Sequence, residues 1–194
     1  MTDAVLPEVV LFHSEYGPGP GAAHAADRLR ELGHTVHVVE LFDEVPEPGE
    51  TPAPRDPDTL LRAAVLGVAR LSGQGLVYAG IGLGAAVAQN VALADEHARG
   101  LLMLHGTSDL REDPVAETDG LPVQLHMAEP DPFETEDWLG AWYLKMRDVG
   151  AEPEVHRYHG AGHLFTDASL PDFDAEADRR AWAAIAEWLA DLEE

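Results

Sequence analysis

The chain has 194 residues, 45% of them hydrophobic, which is enough for one sizeable core and too few for two well-developed domains, so residues 1–194 are expected to form a single domain. Acidic residues number 36 against 12 basic, Lys145 is the only lysine, and the formal net charge of −24 excludes nucleic acid and anionic membranes as partners, because either would bring like charges together. Cysteine is absent, which excludes a disulfide framework, a thiolate nucleophile and a cysteine-bound metal, and suits a reducing cytosol.

The N-terminal Met1-Thr2-Asp3-Ala4 has no basic stretch of the secretory kind, and no apolar run approaches the ~20 residues that span a bilayer. The expectation is a soluble, cytoplasmic protein. Its acidity fits either adaptation to high salt or the drift of a GC-rich genome that also raises Ala, Gly, Pro and Arg, and the second reading is preferred.

In chain order, the apolar run Glu8-Val9-Val10-Leu11-Phe12 predicts a first strand, followed by a helix over 20–32 closed by Gly33. Thr35 to Val39 reads as a second strand. Asp43 to Asp58 carries Pro46, Pro48, Pro52, Pro54 and Pro57, which exclude regular structure and predict a loop that could rim a site. Asp56 and Pro57 open a helix over 57–71. Leu76 to Tyr78 is a strand, 84–98 a helix, and Leu101 to Leu104 and Val123 to Met127 are strands. A helix over 134–148, a strand from Glu154 to Tyr158 and a helix over 174–192 complete the pattern. In that last helix Trp182, Ile185, Leu189 and Leu192 share one face. The alternation predicts an α/β fold: a mostly parallel sheet with helices on both faces, right-handed crossovers and a ligand site at the carboxyl ends of the strands. No internal repeat is present.

Three loops after strands carry chemistry. Gly80-Ile81-Gly82-Leu83-Gly84-Ala85-Ala86 has the layout of a nucleophile elbow, a sharp strand-to-helix turn that lifts its central side chain above the sheet. Its centre here is Gly82. A glycine-rich turn can also serve helix packing or a phosphate site. Ala128-Glu129-Pro130-Asp131-Pro132 places a carboxylate after the fifth strand, although Asp131 followed by Pro132 and Glu134 also suits a helix N-cap. Gly160-Ala161-Gly162-His163-Leu164-Phe165 presents a histidine between small residues after the sixth. The order Gly82, Asp131, His163 is that of an acyl-transfer triad, with Asp131 orienting His163 as general base.

These three segments resemble the triad segments of the dienelactone hydrolase family, and the likeness runs from about Val9 to Leu192. The resemblance implies an α/β-hydrolase fold without a large cap domain, and hydrolysis of small carboxylic esters or lactones through a Ser or Cys acyl-enzyme, with neither metal nor organic cofactor. By resemblance His163 maps to the catalytic histidine, Asp131 to its partner and Gly82 to the nucleophile. The oxyanion hole would be the Leu83 N–H with a donor from the loop after the first strand, for which Glu15 is the candidate. Ser14 stands where family members acting on dienelactone carry a substrate-binding glutamate.

Glycine cannot attack a carbonyl. Three readings therefore stay open: a hydrolase of weakened activity in which His163 and Asp131 polarise a water, a non-catalytic binding protein for a small ester, lactone or carboxylate, and a hydrolase using Ser14 or a metal held by His13, His105, His163 and Asp131. His13, Ser14, Tyr16, His105 and Phe165 are the candidate substrate-binding residues, and Phe12 a candidate for the apolar wall. His126, inside a strand, is expected to be structural. Trp138 and Trp142, with Tyr143, form a helix stripe that reads as core or as pocket wall. A monomer or small homo-oligomer is expected.

Overall fold

The computed structural model describes residues 6–46, 50–71, 75–110 and 118–192, so Met1 to Ala4 and Pro48 lie outside the described residues. Strands β1 (Val9–Phe12), β2 (Val36–Val39), β3 (Val77–Ile81), β4 (Gly100–Leu104), β5 (Pro122–Glu129) and β6 (Glu152–His159) form a sheet of order β2-β1-β3-β4-β5-β6. Every pairing is parallel. The helices between them are α1 (Pro20–Glu31), α2 (Pro57–Val68), α3 (Leu83–Ala92), α4 (Glu136–Asp148) and α5 (Ala175–Asp191).

The strands are apolar on both faces, as a sheet covered on both sides requires. Their two-residue period sorts the side chains into separate layers. Val9, Leu11, Val77, Ala79, Ile81, Leu102 and Leu104 pack against α1 and α5, where Ala25, Ala26, Leu29, Trp182, Ile185 and Leu189 meet them. Val10, Phe12, Tyr78, Leu101 and Met103 face the other way, onto Leu60 and Ala64 of α2, Val87 and Val91 of α3, and Leu139, Trp142 and Met146 of α4. Trp142 therefore belongs to the core, with its indole N–H donating to Gln89 at 2.8 Å. Trp138 lies at the surface, where its N–H donates to Thr107 Oγ1 at 2.7 Å.

Helix starts follow their local chemistry. Asp56 accepts from the Thr59 N–H with Pro57 behind it, Thr135 accepts from Trp138, and Asp174 accepts from Glu176 and Ala177. Helix α3 ends at Ala92, six residues short of the predicted 84–98 span. Asp95 accounts for the early stop: one carboxylate oxygen accepts from the His97 N–H and the other from the Tyr78 hydroxyl, fixing a turn instead of another helical turn.

His126 is structural. Its Nε2 faces the Gln124 carbonyl oxygen at 3.0 Å and so carries the proton, leaving Nδ1 to accept from the Tyr158 hydroxyl at 2.8 Å. Both ring nitrogens are satisfied inside the sheet.

Candidate active site

The order β2-β1-β3 reverses the direction in which the sheet is built, so the loops after β1 and β3 part at their carboxyl ends and leave a crevice. Gly82 sits there, between β3 and α3, at φ 52 and ψ −118. A side chain is strained in that conformation and glycine is not. The turn is also crowded: a Cβ on Gly84 would lie 2.3 Å from the Phe12 carbonyl oxygen, so α3 can start this close to β1 only with glycine at that position. The Gly82 N–H donates to Leu104 O at 2.7 Å, and its carbonyl accepts from Ala85. The turn has the sharp strand-to-helix geometry of an elbow, with glycine at its centre.

Asp131 and His163 meet above the sheet, with His163 Nδ1 2.7 Å from Asp131 Oδ2. Nδ1–H donates to the carboxylate, which leaves Nε2 as the nitrogen available for proton transfer. The other oxygen of Asp131 accepts from the N–H groups of Phe133 and Glu134 at 2.9 and 3.1 Å and closes a turn; the helix-cap reading does not hold, because α4 starts only at Glu136 with Thr135 as its cap. The Asp131 side chain is 1% exposed and that of His163 12%, so this ion pair is little screened by solvent. Burial pulls the His163 pKa down, but the hydrogen bond and charge of Asp131, with the charges of Glu15 and Glu134, outweigh it and hold the imidazole above its ordinary value. For Asp131, burial pushes the pKa up, and the hydrogen bonds from His163, Phe133 and Glu134 together bring it below the usual carboxylate range.

Glu15 lays its carboxylate against the start of α3. Its Oε2 accepts from the Leu83 N–H at 3.2 Å, and a Cβ added to Gly82 would lie 2.5 Å from the same oxygen. The side chain of Glu15 thus fills the volume that a residue at position 82 would occupy. The contact joins residues 68 positions apart, so no local motif announces it.

Glu15, Tyr16, Leu83 and His163 line a cleft of about 940 Å³, together with Phe133, Leu164, Leu170 and Thr51 to Arg55 of the proline-rich loop, which does form its rim. The exposed Phe133 ring stands edge-on to His163, with centroids 4.7 Å apart. His13, Ser14, His105 and Phe165 are not part of the cleft wall and are buried. His13 accepts from the Leu41 N–H through Nε2 and donates to Ser14 O through Nδ1, so both of its nitrogens are used. Ser14 Oγ accepts from the Tyr16 N–H. His105 Nε2 lies 2.8 Å from Thr166 Oγ1, while its buried Nδ1 has no partner. A bare lone pair costs less there than an orphaned N–H, so Nε2 carries the proton. No cluster of three or more His, Asp or Glu capable of holding a metal forms among the described residues.

Thr107 and Glu134 are site residues that the sequence reading missed. Glu134 accepts from the Thr107 N–H at 2.9 Å and from its hydroxyl at 2.7 Å, tying the loop after β4 to the loop that carries Asp131. The only signal available was the position of Glu134 in the first turn after Pro132.

A parallel sheet flanked on both faces, an elbow after β3, a carboxylate after β5 and a histidine after β6 define an α/β-hydrolase. Among the described residues no insertion large enough for a cap domain interrupts the alternation. The family model of the dienelactone hydrolase family matches residues 2–192, and the chain belongs to that family. No curated protein matches the sequence. Among solved structures, the fold is similar to a dienelactone hydrolase-like promiscuous phosphotriesterase from metagenomic libraries, at TM-score 0.81 and 19% identity over 98% of this chain and 88% of that one. It is also similar to a putative dienelactone hydrolase from Klebsiella pneumoniae, at TM-score 0.74 and 18% identity over 98% and 89% of the two chains. A Bacillus cereus carboxylesterase matches at TM-score 0.69 and 17% identity over 98% and 90%.

Proposed function

We propose that this chain is a hydrolase of small, neutral esters or lactones in which the acyl-enzyme route is absent and water attacks directly, at low rate. The observation that carries the reading is the His163–Asp131 pair, at 2.7 Å beside an elbow whose central residue is glycine. His163 Nε2 would take the proton of a water in the cleft beside it, and Asp131 would hold the imidazolium that forms. The carbonyl oxygen of an ester would have to displace Glu15 from the Leu83 N–H, which accords with weak turnover. Binding without catalysis is the second reading, favoured by the same engaged N–H.

The test compares p-nitrophenyl acetate hydrolysis by the wild type with Gly82→Ser, in the presence and absence of Glu15→Ala to vacate the hole. The expected result is slow wild-type turnover lost in His163→Ala, and a His163-dependent gain when serine and a free hole are combined. A folded Gly82→Ser/Glu15→Ala protein without such a gain would overturn the assignment of Gly82, Asp131 and His163 as one catalytic unit. Wild-type turnover at the background rate alongside that gain would favour the binding reading.

A further inference from the structure

Most of the groups that a hydrolytic site needs are present here in an unusual allocation. The hydrogen-bond donor that would stabilise an oxyanion, Leu83 N–H, is already held by the enzyme's own carboxylate, Glu15 Oε2. That carboxylate stands where a side chain on Gly82 would stand and lines the same cleft as His163. We infer that Glu15 is the nucleophile of this site, and that its substrate is a neutral molecule with an electrophilic sp³ carbon carrying an oxygen leaving group, of which an epoxide is the simplest class.

The choice of carbon follows from the occupied donor. If Glu15 attacked an acyl carbonyl, a new oxyanion would form on the substrate, and it would compete with Glu15 for Leu83 N–H. Attack on an sp³ carbon creates no oxyanion at that carbon. The oxyanion appears only in the second step, on the carboxyl group of Glu15 itself, and Leu83 N–H already points at that oxygen. The wall of the cleft also suits a neutral apolar molecule: Phe133, Leu164, Leu170, Pro130 and Pro171 contribute to it, and the carboxylates of Glu15 and Asp172 disfavour an anion, since Arg55, also on the lining, is paired with Glu44.

The steps balance. Glu15 Oε1 bonds to the ring carbon, and the carbon–oxygen bond breaks with its electron pair on the epoxide oxygen, which takes a proton from the His163 imidazolium. The product is a hydroxyalkyl ester of Glu15 beside a neutral His163. Water then gives a proton to His163 Nε2 and bonds to the Glu15 carboxyl carbon, and the carbonyl electron pair moves onto Oε2 against Leu83 N–H. Collapse breaks the bond between that carbon and Oε1, the departing alkoxide takes the proton back from His163, and the new Glu15 acid passes its proton to His163. The net reaction is epoxide plus water to a 1,2-diol, with the first diol oxygen drawn from Glu15 and the water oxygen left in the enzyme.

That exchange of oxygens provides the test. Styrene oxide is incubated with excess protein in oxygen-18 water, and both the diol and the peptide containing Glu15 are weighed by mass spectrometry. The expected result is an unlabelled first-turnover diol and a gain of about 2 Da on the Glu15 peptide, as a covalent carboxylate intermediate requires. Glu15→Gln is expected to lose turnover and label incorporation while circular dichroism confirms folding, and His163→Ala to lose turnover, since it removes both the proton donor of the first step and the base of the second. Label in the first diol with none in Glu15, an adduct elsewhere, or folded wild-type protein that neither turns over styrene oxide nor is alkylated by it would overturn the inference. The Gly82→Ser/Glu15→Ala ester assay reads the His163–Asp131 pair without Glu15, so failure of one reading is distinguishable from failure of the other.

Discussion

The rings of His105 and His163 lie 6.5 Å apart, and their proton affinities move in opposite directions. Burial pushes His105 down to about 3, with the charge of His163 a smaller push the same way. Burial also works against protonation of His163, but Asp131, Glu15 and Glu134 reverse the outcome and raise it. Stability conferred by keeping His105 neutral is full above its ordinary 6.5 and is lost as pH falls from there toward 3, because the unfolded chain takes up the proton first. For His163 the sign inverts: its contribution is full below 6.5 and is lost as pH rises through the raised value. The expected NMR titration shows His163 changing above pH 6.5 while His105 stays flat through that range. Removing His163 should therefore lower the melting temperature more at about pH 5.5 than at about pH 9.

Asp131→Asn separates the two roles of that side chain. An asparagine oxygen can still accept from the Phe133 and Glu134 N–H groups, but its amide nitrogen then faces the Nδ1–H of His163, donor against donor. The histidine should lose its raised pKa and adopt the wrong tautomer. In the Gly82→Ser/Glu15→Ala background, ester turnover is expected to fall by roughly 10⁴-fold with modest change in stability, as loss of the orienting carboxylate does in serine proteases. An unchanged rate and an unchanged His163 titration would remove Asp131 from the unit.

Gly82→Ala tests the elbow itself. At φ 52 an alanine Cβ carries backbone strain of about 1–3 kcal/mol, and it would also press on Glu15 Oε2 from 2.5 Å. The carboxylate is the far end of a flexible side chain and can retreat, so the substitution is expected to lower stability without unfolding the protein. Urea denaturation of Gly82→Ala and Gly82→Ala/Glu15→Ala measures the two contributions, and the double variant should recover whatever part came from the collision.

Elements governed by local period were legible in the sequence. The alternation of Val9, Val10, Leu11 and Phe12 between two core layers, and the single apolar face of Trp182, Ile185 and Leu189, follow from strand and helix geometry alone. The positions of Gly82, Asp131 and His163 were legible for the same reason, because each lies in the loop that leaves the carboxyl end of a strand. Adjacency to a strand end did not reveal direction: His13, His105 and Phe165 follow strands too, yet lie buried with hydrogen bonds or ring contacts of their own. Pairings between loops distant in sequence were out of reach altogether. Glu15 with Leu83 and Glu134 with Thr107 depend on how the crevice closes, which no residue spacing encodes.

Glu134 supplies the last prediction. Its carboxylate accepts both the N–H and the hydroxyl of Thr107, and the Thr107 hydroxyl oxygen in turn accepts from Trp138. The residue thus braces the turn that holds Asp131 and adds to the charge that raises His163. Glu134→Ala leaves a half-buried N–H without its acceptor, with an expected cost of about 1–3 kcal/mol in stability. Glu134→Gln keeps an acceptor for that N–H and a hydrogen-bonding group for the hydroxyl while deleting the charge, so it should stay near wild-type stability yet still lower the His163 pKa. Measuring both variants by urea denaturation and histidine NMR separates bracing from charge: a Gln variant as unstable as the Ala variant would show that the ionised form is what holds the two loops together.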